Sequence, residues 1–183
     1  LFSIKFYRYI YMLDYKANLC AINKLYSDVD GMSSSLKGRK DFTYDRLGDL
    51  TYGELVASEL EFIFSKMNLT PDMHFVDLGS GIGKITLCAS LLFPFLSSTG
   101  IEIVPSLHEI AVEKYKWFKL KFSDAYVINF LNESFFDFDF SGKYCFYTNS
   151  LCFSDDTCEL IAKLFSKSSY GSYLFSTKEL SFN

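Results

Sequence analysis

The sequence predicts an α/β domain, a mainly parallel sheet with helices on both faces. Three observations predict it. From residue 56 onward, short apolar runs bounded by turn residues alternate with longer stretches of helical periodicity, the pattern of successive strand–helix–strand units. The strand-like runs, such as HFVDL at 74–78 and YCFYT at 144–148, are apolar almost throughout; strands that face solvent on one side would alternate. One of them runs straight into three glycines at alternate positions, FVDLGSGIGK over 75–84. Such a turn brings backbone close to a ligand at the carboxyl end of a parallel strand.

Taken in order, the chain opens with a helical segment whose apolar stretch carries Lys5 and Arg8. Residues 27–50, SDVDGMSSSLKGRKDFTYDRLGDL, are rich in Ser, Gly, Asp and Lys and read as a long loop. Together they form an N-terminal segment, 1–50, ahead of a domain over 51–183. Val56, Leu60, Ile63 and Met67 fall on one helical stripe. Pro71-Asp72 is a turn, and His74–Leu78 is the first strand. Lys84 to Phe93 is helical, with Ile85, Cys88 and Leu92 on one face. Thr99 to Val104 is the second strand. Pro105, favoured in a first turn, starts a helix through Leu120. Strands follow at Tyr126–Phe130 and Tyr144–Thr148. Asp155 and Asp156 suit a helix N-terminus, and Leu160, Ile161, Leu164 and Phe165 line that helix. Gly171 breaks it, and Ser172–Ser176 is the fifth strand.

Composition narrows the function classes. Hydrophobic residues make up 49% of 183, enough for one sizeable core. A net charge of −4 supplies no global basic field for nucleic acid, so no strong nucleic-acid binding is expected. The five cysteines are odd in number and hold no CxxC pair. They read as free thiols of an intracellular, reducing compartment, with no disulfide framework and no metal site. The longest apolar run, Leu87 to Leu96, is too short to span a bilayer. The N-terminus lacks a small-residue cleavage site and makes a poor signal peptide.

The glycine turn has three candidate ligands: a dinucleotide, a nucleoside triphosphate, or S-adenosyl-L-methionine. The dinucleotide fingerprint G-x-G-x-x-G fails, because the sixth position from Gly79 is Lys84. A phosphate-binding P-loop ending at Gly83-Lys84 would need glycine at 78 and Ser or Thr at 85; the chain has Leu78 and Ile85. The pattern that stands is D-x-G-x-G-x-G. A carboxylate at the strand end, Asp77, suits a cationic ligand carrying an amino group. Glu102, about 20 residues further on at the end of the next strand, suits ribose hydroxyls.

This pattern resembles the first motif of the Rossmann-like class I S-adenosylmethionine methyltransferases. With TYGE at 51–54 upstream and YTNSLCF at 147–153 downstream, the chain more narrowly resembles the DOT family of histone-lysine methyltransferases and their bacterial relatives. The resemblance covers about residues 50–180. It implies that Tyr52, Gly53 and Glu54 close over the methionine end of the cofactor. Asp77, Gly79, Ser80, Gly81, Gly83 and Lys84 would bind around its amino-acid and ribose parts, Glu102 would hold the ribose, and Ser134 and Phe135 would lie at the adenine. It places Asn149 near the transferred methyl, with Tyr52, Tyr147 and Phe153 walling a substrate channel. The acceptor it implies is a protein lysine, and the compartment the nucleus if the host is eukaryotic. The chain departs from the family at Ser150, Leu151 and Cys152, where the family motif reads Asn-Phe-Ala, and at Lys84, where many relatives have Gln. It stops just after the fifth strand, so the closing strand pair of the class I fold is expected to be absent. A methyltransferase for other acceptors on the same scaffold and a non-catalytic cofactor-binding module stay open as alternatives.

Overall fold

The computed structural model describes residues 17–40, 50, 59–122 and 125–182. Helix α1 runs through residues 17–25 and is followed by α2 (Gly31–Lys40) and α3 (Leu60–Ser65). The sheet alternates with the remaining helices: β1 (His74–Leu78), α4 (Lys84–Leu92), β2 (Ser97–Ile101), α5 (Pro105–Lys121), β3 (Ile128–Leu131), a 3₁₀ turn (Phe135–Asp137), β4 (Tyr144–Thr148), α6 (Asp155–Phe165) and β5 (Tyr173–Ser176).

The five strands lie in the order β3-β2-β1-β4-β5, and every pairing is parallel. Strand order therefore reverses between β1 and β4, which opens a crevice at their carboxyl ends. Side chains alternate across β1. Phe75 joins a core with Ile85, Leu87, Cys88, Phe118 and Tyr147 on one face, whereas Val76 and Leu78 join Phe140, Phe146 and Ile161 on the other. This is the Rossmann-like class I architecture that the alternating pattern predicts. The strand bounds shift by two to three residues: β2 ends at Ile101, so Glu102 sits just past the strand and not in it.

Two local readings change, and the lysines of α5 divide between surface and core. The Ser- and Gly-rich stretch within 27–50 holds a helix, α2, where composition suggests a loop. Asp30 caps it, accepting from Ser33 N at 3.0 Å and Ser33 Oγ at 2.7 Å. Its small residues face α5: Ser106 Oγ donates to Ser34 O at 3.0 Å, and a Cβ on Gly38 would collide with Ser106 and Val104. Smallness here serves close helix approach. Helix α4 is buried all round from Ile85 to Leu92, not on one face, since α3 and α5 pack on it as well as the sheet. On α5, Lys116, Lys119 and Lys121 are exposed as a solvated face, but Lys114 is buried and binds Asp28 Oδ1 at 3.0 Å.

Candidate active site

The turn after β1 takes its shape from three glycines. Gly79, Gly81 and Gly83 have φ of 80°, 53° and 80°, in the left-handed region that side chains disfavour. The backbone amides of Gly79 and Ser80 both donate to Ile101 O at 2.9 Å, and Gly83 N donates to Ser80 O at 2.9 Å. The glycines have different surroundings. A Cβ on Gly83 would come within 2.6 Å of Phe130 and 2.8 Å of Ala111, so close packing demands glycine there. A Cβ on Gly79 would meet only Phe153, at 3.4 Å; this glycine is exposed and faces the loop after β4.

Two buried carboxylates flank the turn. Asp77 is 2% exposed, and its Oδ2 accepts from Thr86 Oγ1 at 2.9 Å. Burial pushes its pKa up to about 7; the Thr86 hydrogen bond opposes the rise and Glu102 adds to it. Glu102 accepts from Val104 N on Oε1 and from Gly81 N on Oε2, both at 2.8 Å. Burial raises its pKa too, against the pull of those amides. Each carboxylate oxygen carries two lone pairs and can accept from a second donor. Among the described residues, Ser80 Oγ and Tyr147 Oη are buried without a hydrogen-bond partner. Tyr147 stacks on Phe175 at 5.6 Å with ring planes 7° apart, and burial followed by the nearby acids Asp77 and Glu59 pushes its phenol up.

The segment after β4 is held by hydroxyls from the end of β5. Thr177 Oγ1 donates to Asn149 Oδ1 at 3.0 Å and accepts from Ser150 N at 2.8 Å. Ser150 Oγ lies 2.6 Å from Ser176 Oγ and accepts from Lys178 N at 3.0 Å. Thr148 Oγ1 donates to Leu78 O at 3.1 Å, which ties β4 to the end of β1. Beyond Asn149, Leu151 and Cys152 are exposed, and Phe153 turns back to Phe135 at 5.7 Å. Ser134 caps the 3₁₀ turn, accepting from Phe136 N.

The fold thus gathers Asp77, Gly79, Ser80, Gly81, Glu102 and Phe135 at the carboxyl ends of β1 to β3, with Asn149 at the end of β4. Tyr147 sits deeper, at 2% exposure, opposite Asp77 in the strand register. Lys84 places its ammonium 5.9 Å from the Tyr26 ring centroid. Tyr52, Gly53 and Glu54 lie outside the described residues. Sequence reasoning missed Thr86, Thr177 and Tyr26. Thr86 leaves a trace, a hydroxyl inside the apolar run ITLCASLL; the other two leave none.

The model of the family described as "Histone methylation protein DOT1" matches residues 32–182. An H3 lysine-79-specific histone-lysine N-methyltransferase of Candida albicans is 42% identical over 82 residues, 44% of this chain and 6% of that protein. Enzymes of the same description from Kluyveromyces lactis and Yarrowia lipolytica are 36% and 32% identical over 50% and 58% of the chain. The chain thus spans a small part of these relatives, 16% and 22% in the latter two. Among solved structures, mitomycin 7-O-methyltransferase MmcR is similar with a TM-score of 0.55 at 17% identity, covering 91% of this chain and 50% of its own. An RNA methyltransferase from Salinibacter ruber, in complex with S-adenosyl-L-homocysteine, gives 0.53 at 22% identity, over 68% of this chain and 76% of its own. These two share the fold, on unrelated acceptors. The narrower kinship comes from sequence, and by it the chain belongs to the DOT1 family of histone methylation proteins, built on the class I S-adenosylmethionine-dependent methyltransferase fold.

Proposed function

We propose that this chain is an S-adenosyl-L-methionine-dependent methyltransferase acting on a lysine side chain of a protein. The observation that carries the reading is the pair of buried carboxylates, Asp77 and Glu102, on either side of a turn whose backbone is open at Gly79. The donor set fits this cofactor. Two buried acids would repel a phosphate at the turn, whereas a ligand with an ammonium, a sulfonium and ribose hydroxyls supplies the charge and the donors that they lack. Ser80 Oγ, without a partner among the described residues, offers a further contact.

In this reading Asp77 faces the ligand's ammonium and Glu102 accepts from the ribose. The backbone of Gly79, Ser80 and Gly81 lines the amino-acid part, while Gly83 and Lys84 fix the entry into α4. Ser134 and Phe135 border the adenine. Tyr52, Gly53 and Glu54 close over the methionine end. When bound, the cofactor's sulfonium supplies a methyl group activated for in-line displacement, so the protein's task is chiefly to position the acceptor. A lysine amine, with a solution pKa of about 10.4, must be neutral to attack, and an aromatic wall of Tyr52, Tyr147 and Phe153 favours the neutral form by desolvation. Tyr147 acts as a wall and not as a base, because burial moves its phenol further from neutrality. Asn149, with its carbonyl taken by Thr177, orients the incoming amine.

The relatives' specificity makes histone H3 the first acceptor to try. We place the protein inside the cell, in the nucleus of a eukaryotic host, without strong nucleic-acid binding of its own. Among the described residues no helix is long and apolar enough to cross a membrane. The test is incubation with methyl-labelled cofactor and, in parallel, histones, nucleosomes and a cell extract, with the product mapped by mass spectrometry. A labelled lysine is the expected result. Label confined to small molecules would move the acceptor class, and binding without transfer to any acceptor would leave a cofactor-binding module.

A further inference from the structure

Residues 17–30 precede the stretch that the family model matches, yet one of them touches the glycine turn. Tyr26 is 6% exposed, and its hydroxyl donates to Ile82 O at 3.0 Å. Ile82 lies between Gly81 and Gly83, the second and third left-handed glycines. The ammonium groups of Lys84 and Lys114 each lie 5.9 Å from the Tyr26 ring centroid, a spacing at which cations are drawn to an aromatic face. Lys114 in turn binds Asp28 at 3.0 Å. One ring is thereby held by cations from α4 and α5, with its hydroxyl aimed at the turn.

The turn has a mechanical need for this contact. Three glycines in five residues leave the backbone many alternative paths, and affinity for a ligand rises when the bound path is fixed beforehand. On the sheet side, Ile101 O and the Glu102 carboxylate hold the amides of Gly79, Ser80 and Gly81. Tyr26 holds the following carbonyl from the outer side. The geometry points to Tyr26 as a positioning residue for the cofactor: its hydroxyl sets the path of the glycine turn, which brings a residue from ahead of the matched stretch into the cofactor site. The inference rests on the reading that this turn binds S-adenosyl-L-methionine.

Calorimetric titration of the full chain with S-adenosyl-L-homocysteine tests it. Tyr26→Phe keeps the ring and both cation contacts and removes only the hydroxyl. It should weaken binding about two- to ten-fold, the span of one neutral hydrogen bond, and shrink the ligand-induced rise in Tm. Asp72→Asn, which removes an ion pair with Lys143 at the opposite end of β1 from the turn, should leave the affinity at its wild-type value. In the wild-type chain, ligand should also slow amide exchange in residues 22–30 together with 79–84, a measurement that does not depend on any variant folding. Unchanged affinity in Tyr26→Phe, equal losses in both variants, or unchanged exchange in 22–30 would each overturn the inference while leaving the site intact. A wild-type chain that binds no S-adenosyl-L-homocysteine overturns the site reading and this inference with it.

Discussion

Asp77 is a buried carboxylate with no ammonium or guanidinium ion-paired to it among the described residues. With its pKa near 7 against an ordinary 3.8, the folded, ligand-free chain holds a proton there that the unfolded chain has already released. The sign follows: this group's contribution to stability is complete below the ordinary carboxylate range and is lost as pH rises through about 7. A bound cation reverses the preference, so binding must expel the proton. S-adenosyl-L-homocysteine, whose amino group stays charged, should therefore bind more tightly as pH rises from about 5 to about 8. Titrations in two buffers of different ionisation enthalpy should show proton release at the acid end, and Asp77→Asn should reduce it. Glu102 carries a second burden. Its oxygens satisfy Gly81 N and Val104 N, so Glu102→Ala should both weaken the ligand and destabilise the fold. We expect about 1.5–3 kcal/mol lost in binding, as for hydrogen bonds to a charged acceptor. Unfolding in denaturant should show a concurrent loss, because two amides lose their acceptor. A variant that loses affinity with unchanged stability would mean the amides find other partners.

At the scale of elements, glycine plays different parts at neighbouring positions. Gly83 is the N-cap of α4, with φ of 80° and Phe130 and Ala111 closing on its Cα. Gly83→Ala incurs left-handed strain of about 1–2 kcal/mol and overpacking of about 1–3 kcal/mol, which thermal unfolding should register as a clear drop in Tm. Gly79→Ala meets only the strain, since its nearest neighbour stands at 3.4 Å; its larger effect should fall on ligand affinity. The sequence makes both positions visible as glycines and cannot separate them, because the difference lies in residues 28 and 47 positions further along the chain. Helix α2 teaches the same point. Its serines and glycine follow the statistics of loops, and only the presence of α5 against that face makes them a packing surface. Gly38→Val, which drives a side chain into Ser106 and Val104, should separate the two helices and lower Tm, while an exposed substitution such as Leu36→Ala on the same helix should not.

The molecule as a whole carries a net charge of −4, and among the described residues three lysines pair with acids: Lys114 with Asp28, Lys143 with Asp72 and Lys178 with Asp155. No salt-sensitive complex with a short DNA duplex is expected at micromolar protein, and fluorescence anisotropy at low and physiological salt checks this. A tight, salt-sensitive complex would contradict this expectation and make a nucleosome the acceptor to test first. From β1 onward the alternation of strands and helices, the parallel sheet, the glycine turn and its two acids were legible in the sequence; helix α2 was not. These features are set by short-range physics: apolar periodicity, the steric freedom of glycine, and a carboxylate placed at the end of a strand. Tertiary structure alone decided that Tyr26 reaches Ile82 across 56 positions, that Lys114 is buried against Asp28 across 86, and that Thr177 holds Asn149 across 28. Nothing in a tyrosine, lysine or threonine names its partner, because a hydrogen bond or ion pair is specified by two positions at once and the chain brings them together only when the sheet has closed its order.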